Sequence, residues 1–252
     1  MESERLISQN KKGTGQNKAD ESEKLVTKEK SPAFNIFLLI LLCSGNYFFG
    51  YQLAIFNVVS DPLLKGIFQQ DDSTYKSNSS LSGFLFSLGC AFGSLLEGVL
   101  TKYVGMIRLI YLMEFLNIAT SILLIVQNLK LIMALRFIAG MLGGLSISLL
   151  PLICNTMFPP AKAAVGGAAS YLFIVVFILI SSLQNPIFGG SEGLKDNIKI
   201  AFSWPAVIGV IRVILMTIFL IRFETPKYLT EHFSGSVEDL KLRLLRVYKL
   251  IY

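Results

Sequence analysis

Six stretches of this chain are almost continuously apolar, and polar segments separate them. They run over about 34–57, 81–100, 109–126, 131–157, 165–188 and 203–221. At a helical rise of about 1.5 Å per residue, each is long enough to cross a hydrocarbon core of about 30 Å. Runs of this length keep no polar face for water, so the pattern predicts six transmembrane helices and an all-α membrane protein. Residues 1–32 are different: seven Lys/Arg and six Asp/Glu stand among Ser, Gln and Asn, with almost nothing to bury. That composition predicts a disordered cytosolic tail. It also leaves no apolar core near the start for a cleavable signal, so the first helix is expected to act as its own membrane signal. The six-helix domain is expected over 33–228. Beyond it, Val237, Leu240, Leu244, Val247, Tyr248 and Ile251 recur at helical spacing among charged residues. An amphipathic cytosolic helix over 229–252 follows, lying either on anionic lipid or on the bundle.

Composition agrees with the pattern. The chain is 53% apolar and 16% charged, far from the balance of a soluble domain. Its net charge of +6 raises the question of nucleic acid. The Lys and Arg residues are scattered between apolar blocks and form no stripe that tracks phosphates, so no nucleic-acid partner is expected. Cys43, Cys90 and Cys154 each lie inside an apolar run, where a thiol behaves as a small hydrophobe. The single histidine, His232, sits in a polar stretch beside Glu231. Nothing here spells a metal site, a cofactor site or a nucleophile with its base, and an enzyme is not expected.

The basic residues also predict orientation. Lys24, Lys28, Lys30, Lys102, Arg108, Lys162, Arg222 and Lys227 fall on one side of the six spans, against Lys65, Lys76, Lys130, Lys195 and Lys199 on the other. Both termini are therefore expected in the cytosol, with the 58–80 segment and its Asn78-Ser79-Ser80 sequon facing outward. Four ionisable residues lie within the apolar blocks, and each needs a partner. Glu97 is expected to reach Lys102 locally. Glu114 and Arg212 sit at similar depth on the third and sixth helices, which predicts a bridge between them.

Local motifs add a family. The first helix contains Gly45-Asn46-Tyr47-Phe48-Phe49-Gly50-Tyr51 and then Asn57; the fourth opens Leu135-Arg136-Phe137-Ile138-Ala139-Gly140 and runs through Gly143 and Gly144 to Pro151. The sixth begins Ser203-Trp204-Pro205 and ends Glu224-Thr225-Pro226-Lys227-Tyr228-Leu229. In order and spacing these resemble the sugar porters of the major facilitator superfamily, the branch that contains the facilitative glucose transporters. The resemblance covers about residues 34–230. It implies the N-terminal six-helix half of a carrier whose two halves enclose the substrate site.

The resemblance implies Phe49, Asn57, Tyr171, Ile174 and Ile178 as sugar-contacting positions, although Tyr171 stands where sugar porters carry a Gln. Asn57 also reads as a polar residue ending the first helix at the water interface. Gly140, Gly143 and Gly144 read as small residues that let two helices approach closely. The implied gating and charge network comprises Glu97, Lys102, Arg108, Arg136 and Glu224. It departs from the family after the second helix, where Met106 and Ile107 replace arginines. After the fourth helix, Thr156 and Ala163 replace the charged partners. The function implied is alternating-access transport of a hexose or similar small sugar. The chain would then work with a second six-helix half, be it a copy, a separate chain or a host complex, or be a truncated record of a twelve-helix carrier. The alternative is a non-transporting half-carrier that serves as a structural subunit. The lipid expected is that of the plasma membrane or of an organelle.

Overall fold

The computed structural model describes residues 32–158, 160–188 and 190–220, and these are helical almost throughout. The tail before residue 32, the expected amphipathic helix and Glu224 lie outside the described residues. The first span is built from α1 (Pro32–Cys43), a 3-10 turn (Ser44–Asn46), α2 (Tyr47–Ser60) and a π-helical turn (Asp61–Ile67). There follow α3 (Asp72–Val104), α4 (Met106–Leu124), α5 (Leu129–Met157), α6 (Pro160–Ser182), the short α7 (Gln184–Ile187) and α8 (Gly190–Asp196), and α9 (Ile198–Leu220). Among the described residues six helices are long and apolar enough to cross a membrane.

Two boundaries differ from the sequence reading. The first span continues ten residues past Asn57, and the second helix begins at Asp72 rather than near Leu81, so the expected 58–80 loop is mostly helix. Hydrophobicity marks only the part of a helix inside lipid, and a capped polar extension escapes it. Here the cap is Asp71, which accepts hydrogen bonds from the Ser73 and Thr74 hydroxyls and from the Thr74 backbone amide. Those bonds, that from Ser73 foremost, hold its carboxyl well below the usual carboxylate range. Lys65 ties the two extensions together, bonding Asp72 at 2.8 Å and lying over the Tyr75 ring.

The packing is set by small residues. Gly89 and Gly93 of α3 lie on the backbone of Phe137 and Met141 in α5, while Gly140 and Gly144 of α5 lie on the backbone of Phe86 and Cys90 in α3. A Cβ at any of the four would strike a backbone carbonyl, so the two helices touch along a seam four residues in period from both sides. Gly50 of α2 meets the backbone of Ile174 in α6 in the same way. Against this frame α4 packs on α9. One apolar cluster fills the end near Gly105, with Leu42, Ile107, Ile110, Leu149 and Ile153; another fills the opposite end, with Ile55, Val59, Leu63, Ile132 and Phe202.

The spans are unequally covered. The first and fourth are mostly buried, whereas α3 and α6 bury least. Phe84, Leu95, Val99 and Tyr103 on α3, and Val165, Leu172, Val175 and Leu179 on α6, are all exposed. In lipid such faces meet acyl chains or another protein without cost.

Candidate functional site

The site begins with the one opening in α2. From Tyr47 to Phe56 nearly every residue of this helix is buried. The exceptions are Phe49, half-buried, and Leu53, exposed; Asn57 is exposed one turn further on. Steps of four residues put these three on one stripe of the helix. Phe49 lies in a notch left by Gly143 of α5 and stacks on Phe86 of α3 with ring centroids 5.8 Å apart. Asn57 is therefore a polar group on an open stripe inside a continuing helix, and does not end it. On α6, Tyr171 is exposed and Ile178 partly buried, one turn to either side of Ile174. Ile174 itself is buried at the α2 contact. The open stripe thus carries Phe49 and Asn57, while α6 leaves Tyr171 and part of Ile178 open and buries Ile174 against α2.

Buried polar groups surround the stripe. Gln52 is 1% exposed, and neither atom of its carboxamide has a protein partner. Its backbone carbonyl accepts a hydrogen bond from Arg136 Nη1 at 2.8 Å. Arg136 also donates from Nε to Ser82 Oγ at 3.1 Å, and its guanidinium lies between the Phe56 and Phe86 rings, 4.8 and 4.5 Å from their centroids. Among the described residues no carboxylate pairs with it; carbonyl, hydroxyl and ring faces hold the charge instead. Further along, Gln184 of α7 donates to the Tyr51 hydroxyl, which in turn donates to the Ala201 carbonyl. Gln52, Gln184 and Ser82 escaped the sequence reading, because a single amide or hydroxyl inside an apolar run leaves the hydrophobic pattern intact.

A second polar cluster crosses the bundle. Arg212 of α9 forms an ion pair with Glu114 of α4, as the similar depths predict, and both are almost fully buried. Arg212 also donates to Ser44 Oγ and to the Leu41 carbonyl, each at 3.1 Å, at the break between α1 and α2. The Tyr47 hydroxyl donates to Glu114 Oε2 at 3.1 Å. One ion pair therefore joins the first, third and sixth spans.

The remaining charge positions lie apart from these clusters. Glu97 accepts from Thr101 at 2.8 Å rather than pairing with Lys102, whose ammonium lies over the Tyr103 ring. The helical turn explains this correction, since four residues return to the same face while five turn about 140° away. Arg108 follows the Gly105 corner, where Gly105 adopts φ +90° and lets α3 turn into α4. At the same end the Thr156 hydroxyl lies 3.7 Å from the Met106 sulfur, so the two segments where the resemblance implies charged residues are in contact. Ile107 and Ala163 are buried in the adjoining apolar cluster.

This is the architecture of one half of a major facilitator carrier. The chain superposes on the proton:xylose symporter XylE bound to 6-bromo-6-deoxy-D-glucose with a TM-score of 0.73, at 16% identity, over 86% of this chain and 50% of that one. The inward-open xylose transporter XylE from E. coli matches with a TM-score of 0.68, over 86% and 55%. The family profile described as sugar (and other) transporter matches residues 38–239, and the chain belongs to that family. Facilitated glucose transporter member 5 of Mus musculus is 25% identical over 255 residues, 92% of this chain and 48% of the relative. Member 2 of Gallus gallus is 30% identical over 175 residues, 67% and 31% respectively. The chain spans about half the length or less of these curated relatives. It is a multi-pass integral membrane protein of a transporter family, not of an enzyme family.

Proposed function

We propose that the chain moves a hexose or similar small sugar by alternating access, supplying one of two six-helix halves, in the plasma membrane or an organelle membrane. The observation that carries this is the single open stripe of α2. A largely buried helix exposes one aromatic face and one carboxamide, Phe49 and Asn57, and the neighbouring helix α6 exposes a phenol at Tyr171. An aromatic face covers the apolar side of a sugar ring, and amide and phenol groups hydrogen-bond its hydroxyls. The stripe lies beside α3 and α6, the two least-covered helices, so a second half docked on them would close a chamber over it. That half would be another copy, a separate chain or further sequence.

A second reading, a half-carrier kept as a structural subunit, is favoured by the end near Gly105. There Met106, Ile107, Thr156 and Ala163 form an apolar contact where the resemblance implies charge. One preparation tests both readings: purification in mild detergent with native mass determination, and hexose uptake after reconstitution into proteoliposomes. Saturable uptake by a two-half assembly, reduced at least tenfold by Asn57→Ala, is the expected result. A stoichiometric partner without uptake would move the protein to the structural reading, and saturable uptake by a six-helix monomer would overturn the two-half assembly.

A further inference from the structure

Two thiols meet inside the bundle, 111 residues apart in sequence. Cys43 closes α1 and Cys154 lies near the end of α5; their sulfurs are 3.9 Å apart and neither residue is exposed. A third helix completes the pocket: Cys43 Sγ donates to the Gly166 carbonyl of α6 at 3.1 Å. The absence of a side chain at Gly166 makes room for the pair, since a Cβ there would stand 3.0 Å from Cys154 Sγ. Cys43 is also the residue before the 3-10 turn at Ser44–Asn46, where α1 is released from α2. The Arg212 guanidinium binds Leu41 and Ser44 on either side of it.

We propose that Cys43 and Cys154 are a modification site: a small uncharged peroxide closes them into a disulfide that fastens α1 to α5. Bringing the sulfurs to bond length, about 2.05 Å, asks them to close from 3.9 Å. The Cys43 sulfur attacks one peroxide oxygen as its proton leaves, the O–O bond breaks, and the departing hydroxide takes up that proton as water, leaving a sulfenic acid. Cys154 then attacks that sulfur, the S–O bond breaks, and a second water leaves. Two thiols give up two electrons, and one peroxide becomes two waters. Both thiols are fully buried, so the site admits oxidants of this size and excludes bulky disulfides.

The test counts thiols. Membranes holding the protein are treated with hydrogen peroxide, quenched, dissolved in SDS and labelled with a maleimide that adds a visible mass per thiol. The chain has three cysteines, so the reduced protein takes three labels and the oxidised protein takes one, at Cys90, while running as a monomer without reductant. Dithiothreitol restores three. Cys43→Ser takes two labels with or without peroxide, and Cys90→Ala goes from two to none, which shows the pair directly in a variant that leaves the site intact. Retention of all three labels after peroxide overturns the proposal. So does a loss that dithiothreitol fails to reverse, because that is over-oxidation of separate thiols.

Discussion

Arg212 occupies a place where a charge is costly, in the middle of an apolar helix, and it is tolerated because its donors are spent on Glu114, Ser44 and Leu41. Removing either charge strands the other. Arg212→Met or Glu114→Met should each destabilise the purified protein by about 3–5 kcal/mol. The double replacement should recover most of the loss, because two apolar side chains leave no charge unpaired. Chemical unfolding in detergent followed by tryptophan fluorescence measures all three variants. Met106 and Thr156 pose the opposite case, a contact that carries no charge. Met106→Arg alone meets no carboxylate, whereas adding Thr156→Glu should produce a favourable coupling of about 0.5–3 kcal/mol in a double-mutant cycle. Strict additivity would mean that the two side chains do not meet.

Helix by helix, the glycines separate into those that packing requires and those it does not. Gly89 and Gly144 face backbone across the α3–α5 seam, so Gly89→Ala or Gly144→Ala should cost about 1–3 kcal/mol through forced separation of the helices. A methyl group added at Gly83 or Gly167 would meet nothing within 4 Å, and alanine there should be neutral or stabilising, by up to about 1 kcal/mol. Thermal melting monitored by circular dichroism separates the two classes. This is also where the sequence could be read and where it could not. The six spans were legible because twenty apolar residues in a row have few alternatives, and the Arg212 to Glu114 pair because depth can be counted from span ends. The helical extensions around Asp71 were illegible, since a polar helix outside lipid looks like a loop. Gln52 was illegible too, because the isolation of its carboxamide depends on how α2 and α5 pack and not on any local pattern.

For the molecule as a whole, orientation governs everything that the proposed transport requires. The excess of Lys and Arg on one side predicts that the helical turn near Asp71 faces outward. In a background without the three native cysteines, Lys76→Cys should react with an impermeant maleimide added to intact cells, because Lys76 is exposed on the extension of α3. Gly15→Cys should react only after the membrane is opened. The reverse pattern would invert the bundle and exchange the roles given to its two ends.

The break in the first span also has a bearing on how the protein is made. During synthesis the first span enters the bilayer long before the sixth exists. The Ser44 hydroxyl donates to the Leu41 carbonyl within the first span at 2.9 Å, and both oxygens also accept from Arg212, which is 168 and 171 residues further along the chain. The early span can therefore enter the bilayer with that local bond closed, whereas the Arg212 guanidinium cannot remain alone in lipid. Arg212 therefore needs water or the insertion machinery until it meets Glu114 and the first span, which ties completion of the bundle to the docking of α9. A lesion at Arg212 would then be felt first as a failure of biogenesis, with the Glu114 carboxylate stranded inside the bundle before any question of transport arises.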